Sequence, residues 1–177
     1  MPALGDKVKN SIVATVRGTG EIVNVVTETV SDTLANALKG TGSVGKALTG
    51  AVADVASGVI EGTSQVGGDL GKATKGAVIG VLQGTKEVGG EAVDAVGSTV
   101  QNLVKTTTEV GGDVGDTARQ AMEGAIEGAR SVGVKGTETV SAAAAGAIQG
   151  LGHIGKAATA TTADVARGLI QGASNVG

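Results

Sequence analysis

Val, Ile and Leu return along this chain at a fixed interval of 22 residues. Steps from Ile22 land on Val44, Val66, Val88, Val110, Val132, Ile154 and Val176. Steps from Val16 land on Leu38, Ile60, Leu82, Val104, Ile126, Ile148 and Ile170. The interval is twice 11, and three helical turns take up 11 residues at about 3.67 residues per turn. Wound on such a helix, both columns fall on one side, and no Lys, Arg, Asp or Glu enters either of them. A stripe of this kind marks an amphipathic helix. Strict alternation, the mark of a strand, fails in stretches such as GVIEGTSQVGG, Gly58 to Gly68. The pattern predicts an all-α chain, as one long helix or as helical hairpins, with a β-solenoid of 22-residue coils as the alternative. Eight units follow one another without insertion (1–22, 23–44, 45–66, 67–88, 89–110, 111–132, 133–154 and 155–176), so residues 1–177 read as a single repeat region.

Glycine decides what that helix can do. An unbroken helix would be about 265 Å long at roughly 1.5 Å per residue, so the chain must fold back, lie on something large or assemble. There are 32 glycines, and at about 1 kcal/mol each relative to Ala they remove on the order of 30 kcal/mol of helix propensity. Such a helix needs an apolar surface or helical partners. The pairs Gly58/Gly62, Gly80/Gly84, Gly124/Gly128, Gly146/Gly150 and Gly168/Gly172 are GxxxG motifs, which allow close backbone approach. In the Gly18 column only Thr106 departs from glycine. If the chain bends, the doublets Gly67-Gly68, Gly89-Gly90 and Gly111-Gly112 are the weakest points.

Composition and charge narrow the picture. Phe, Tyr, Trp and Cys are all absent, so an ordinary aromatic core is excluded, as are disulfides and thiolate chemistry. A net charge of −3 gives no electrostatic case for nucleic acid. Neither a secretory signal nor an apolar run of spanning length is evident, so the expected location is cytoplasmic, with a peripheral contact at a lipid interface. The charges are sorted. Lys9, Lys75, Lys86, Arg119 and Arg130 share one edge of the polar face. Glu21, Asp32, Asp54, Asp69, Glu87, Glu91, Glu109, Asp113 and Asp164 share the other side, where Lys135 is the one basic exception. Parallel helices laid side by side would set a basic edge against an acidic one, which predicts parallel association.

The apparent chemical motifs dissolve on inspection. GTGSVGKA (Gly40 to Ala47) and GLGHIGKA (Gly150 to Ala157) match a phosphate-binding loop up to its last position, where Ala47 and Ala157 lack the hydroxyl that holds Mg²⁺. No nucleotide or other cofactor is expected. His153 has no Cys or second His to complete a metal site. Carboxylate pairs such as Glu123 and Glu127 sit on an exposed face without the desolvation that tunes an acid for catalysis. No catalytic, cofactor or metal residue is assigned, and the chain is expected not to be an enzyme. Thr19, Thr41, Thr63, Thr85 and Thr107 form a ladder on the apolar side. It is similar to the ladders of helical antifreeze proteins, so ice binding is a lesser alternative.

Units such as GKATKGAVIGVLQGTKEVGG (Gly71 to Gly90) and VIEGTSQVGG (Val59 to Gly68) resemble the 11-residue repeats of perilipins and synucleins. More distantly the chain is similar to the 22-residue units of exchangeable apolipoproteins. The resemblance implies a helix that folds on a lipid surface and coats a droplet or membrane, with the two apolar columns facing lipid. The alternative expectation is a self-assembling structural protein, a bundle, layer or filament in which the GxxxG glycines pack helix on helix. The partners expected are therefore a lipid surface, further copies of the chain, or both.

Overall fold

The repeat signal resolves into one helix per unit. The computed structural model describes residues 4–19, 21–39, 44–152 and 159–176, which form helices and contain no strand. In chain order they are α1 (Leu4–Thr19), α2 (Ile22–Leu38), α3 (Val44–Gln65), α4 (Leu70–Glu87), α5 (Ala92–Glu109), α6 (Val114–Val132), α7 (Gly136–Gly152) and α8 (Thr159–Val176). The single long helix gives way to the hairpin form, and the β-solenoid alternative is set aside.

Glycine ends each of the central helices α3 to α6, and the way it does so explains two columns at once. Gly67, Gly89, Gly111 and Gly133 adopt φ between 66° and 74°, a left-handed conformation that costs other residues about 1–2 kcal/mol. At the first three, the doublet closes the helix with two backbone bonds. Gly68 N donates to Thr63 O at 2.9 Å and Gly67 N to Ser64 O at 3.1 Å. The same pair recurs with Gly90 to Thr85 and Gly89 to Lys86, and with Gly112 to Thr107 and Gly111 to Thr108. This closure satisfies carbonyls that the last helical turn would otherwise leave bare. Thr63, Thr85 and Thr107 thus mark the last turns of α3, α4 and α5 and are buried, rather than standing on an open face. The hydroxyl of Thr107 accepts from Thr117 at 3.3 Å, whereas those of Thr63 and Thr85 are buried without a partner. Immediately after two of the doublets, Asp69 and Asp113 cap the next helix, accepting from the backbone N–H of Lys72 and Asp116 at 3.0 Å.

Links this short send each helix back past its predecessor, so that helices two apart lie side by side and parallel. The closest pairings are α1 with α3, α2 with α4, α4 with α6, α6 with α8 and α5 with α7. Odd-numbered helices form one row and even-numbered helices a second row packed against it. Between the rows runs one continuous core of Val, Ile, Leu and Ala. Val26, Val30, Leu34, Val52, Val59, Val78, Val96 and Leu103 are fully inside it. Alanine and glycine bring helix axes close enough for aliphatic side chains to fill the interior without an aromatic ring.

Candidate binding cleft between the third and fifth helices

Within each row, contact is made by glycine against backbone. A Cβ added to Gly76, Gly80 or Gly84 of α4 would come within 2.6, 2.7 and 2.8 Å of the carbonyl oxygens of Val23, Thr27 and Ser31 in α2. No side chain larger than hydrogen fits there. Gly58 and Gly62 of α3 lie against Gly5 and Lys9, and Gly124 and Gly128 of α6 against Lys75, Ile79 and Leu82. Gly146 and Gly150 of α7 lie against Gly97 and Gln101, and Gly168 and Gly172 of α8 against Gly115 and Arg119. Contacts advance along both helices together, which is what makes the pairs parallel.

Helix α5 breaks this rule. Where α4 carries Gly76, Gly80 and Gly84, α5 carries Ser98, Asn102 and Thr106. These side chains hold α5 away from α3. The Thr106 hydroxyl meets that of Ser57 at 3.3 Å, and Asn102 turns back to donate to Ser98 O at 2.8 Å. Further toward the start of α5 the two helices enclose a cleft of about 360 Å³, lined by Leu48, Thr49, Val52, Gly89, Gly90, Glu91, Asp94, Ala95 and Ser98. Leu48, Val52 and Ala95 are buried and form an apolar floor, while Glu91 and Asp94 are exposed at the mouth. Glu91 occupies the column of Asp69 and Asp113, yet its side chain makes no capping bond.

Ion pairs cross the parallel pairs, but none joins the basic edge to the acidic side defined from the sequence. Lys9 of α1 faces Glu61 of α3 at 3.9 Å, and Lys39, just past α2, faces Glu87 of α4 at 3.2 Å. Lys75 of α4 reaches Glu127 at 2.8 Å and Glu123 at 3.9 Å on α6. Glu123, only 9% exposed, also accepts from Arg119 at 3.2 Å and from Asn175 of α8 at 2.9 Å. Arg119 is bound still more tightly to Asp116, whose hydrogen bond raises the guanidinium pKa against the opposing effect of burial. This cluster ties α4, α6 and α8 together.

The apolar columns divide by location. Ile60, Leu82 and Val104 are completely enclosed by the chain itself, and Ile22 and Leu38 are buried. Val66, Val88, Ile126 and Val132 are half-buried, and Val110 is exposed at a helix end. Ile148 and Ile170, in α7 and α8, are 60% and 70% exposed. Ile154 and His153 lie outside the described residues, as do the side chains of Val16, Val44 and Val176. The two loop-like motifs fall partly outside them too. Among the described residues no group of His, Cys, Asp and Glu is arranged to hold a metal ion, and no helix is long and apolar enough to cross a membrane. Sequence reasoning did not single out the cleft, although its signal was present as two departures from glycine in one unit, Asn102 and Thr106.

No family model matches the chain, and no curated protein matches its sequence. Among solved structures it is similar to the de novo designed helical repeat protein DHR7. The TM-score is 0.58 at 14% identity, over 98% of this chain and 92% of that one. At that identity the likeness shows the fold: an all-α helical repeat.

Proposed function

We propose that this chain is a non-catalytic structural protein, a helical-repeat scaffold whose copies associate through the outer face of α7 and α8. One observation carries the reading. In the column from Leu38 to Ile170, Leu38, Ile60, Leu82 and Val104 are covered by neighbours in the chain and Ile126 is half-buried, whereas Ile148 and Ile170 stand in solvent. Large aliphatic side chains left this exposed on two helices are an association surface of the kind that marks protein contacts. Ser141, Ala145 and Ala166 around them are small and exposed, so another helix can come close.

Sedimentation of the wild type and of the Ile148→Lys, Ile170→Lys double variant tests this. The wild type is expected to form dimers or larger particles, and the variant to sediment as a monomer with unchanged helicity. A wild type that stays monomeric at high concentration would overturn the proposal.

Lipid coating is the second reading, and the same two exposed isoleucines favour it. Because Ile60, Leu82 and Val104 are enclosed, a coat formed from the whole apolar side requires the rows to separate. Hydrogen exchange with an oil emulsion distinguishes the cases. Lost protection in α3 to α5 on adding emulsion supports the coat, and unchanged protection removes it.

A further inference from the structure

We propose that the cleft between α3 and α5 binds an organic ammonium ion with a short hydrocarbon body. This inference does not depend on self-association. It begins with the cleft's origin: every helix from α3 onward that packs on an earlier helix of its row keeps a glycine pair at the contact, except α5. Asn102 and Thr106 replace the glycine pair that every other such helix keeps in register, and the gap that they and Ser98 border is walled and floored rather than collapsed.

The lining selects the ligand. Leu48, Val52 and Ala95 offer a hydrocarbon floor at the inner end. At the mouth the side chains of Glu91 and Asp94 are acceptors, set beside the uncapped first-turn N–H groups of α5. The N–H groups of Gly89 and Gly90 are already spent on Lys86 O and Thr85 O, so these residues face the cleft with no free donor. Glu91 makes no cap, and no ion pair reaches Glu91 or Asp94 among the described residues. Elsewhere the corresponding acids are engaged, as Asp69 and Asp113 are in caps and Asp116 is with Arg119. The positive end of the α5 dipole, worth about half a charge, does not cancel two carboxylates. The hydroxyl of Ser98 serves either polarity. A cation that buries its alkyl chain against Leu48 and Val52 and leaves its ammonium between Glu91 and Asp94 matches every part of this surface. An anion is repelled at the mouth, and a fully hydrated metal ion gains nothing from the floor.

Titration of the full chain with n-hexylammonium chloride, followed by backbone amide NMR, tests the assignment, with hexanoate and hexanol as matched probes. Saturable shifts confined to α3, α5 and the 88–91 link are expected for the amine, with hexanoate silent. Glu91→Gln with Asp94→Asn should weaken amine binding about tenfold or more, one decade in Kd, while leaving helicity unchanged because both side chains are exposed. Ser98→Gly, Asn102→Gly and Thr106→Gly together should let α5 close on α3 and abolish binding. Equal binding of amine, alcohol and carboxylate would overturn the proposal. So would an affinity that ignores the loss of both carboxylates, or the absence of any saturable shift.

Discussion

One methyl group decides how near two of these helices can lie. At Gly80 it would meet the Thr27 carbonyl at 2.7 Å and the Val30 side chain at 2.9 Å, whereas at Gly50, also helical, nothing stands within 4 Å. The same substitution should therefore act in opposite directions. Gly80→Ala is expected to lose about 1–3 kcal/mol through overpacking. Gly50→Ala should gain up to about 1 kcal/mol, because only helix propensity and unfolded-chain entropy change. Urea unfolding of the two variants checks the contrast; equal effects would mean the notches are not close contacts. The GxxxG columns were legible in the sequence as close-packing positions. What they pack against was not, because a carbonyl belongs to every residue and leaves no mark in the order of side chains. The reverse holds for Thr106, whose departure from glycine was visible while its consequence needed the position of Ser57.

At the scale of the helix, the stop signal is Thr-x-x-Val-Gly-Gly followed by an acid. The sequence marked the doublets as the weakest points for any bend, and the structure bends there. The threonine column, read from sequence as part of a presented face, belongs instead to the terminal turn. A column cannot show whether it runs along one surface or recurs at the same place in separate helices. The acid that follows is not equivalent in every link. Asp69 accepts from Lys72 N, whereas Glu91 caps nothing. Asp69→Ala should destabilise by about 1 kcal/mol, and Glu91→Ala should change stability by less than half as much. Denaturant midpoints decide the matter, and a larger loss at Glu91 would contradict the capping assignment.

Across the whole molecule, helices two apart run parallel within one chain, but the ion pairs between them are Lys9–Glu61, Lys39–Glu87 and Lys75 with Glu123 and Glu127, none of which joins the basic edge to the acidic side read from sequence. Sequence could not distinguish such rows from pairing between chains, since identical units present identical edges. The exposed pairs contribute little individually and weaken with salt. Glu123 differs, being nearly enclosed and shared by Lys75, Arg119 and Asn175. Glu123→Gln is expected to cost about 1.5–3 kcal/mol, the range for hydrogen bonds to charged groups, and to raise hydrogen exchange in α8. Glu61→Gln, whose partner Lys9 is 3.9 Å away on a half-exposed pair, should do neither. Similar losses at both sites would show that the cluster is only a surface pair.

The spacer residues on α5 also give the protein two unlike flanks. The even-numbered flank is stitched by glycine from α2 to α8, and the odd-numbered flank is slack at one seam between α3 and α5. Under load or heat, strain will gather at that seam while the opposite flank acts as a spine. Flexing is therefore expected to favour one direction, opening or closing at this seam, and an occupant of the seam is expected to stiffen it.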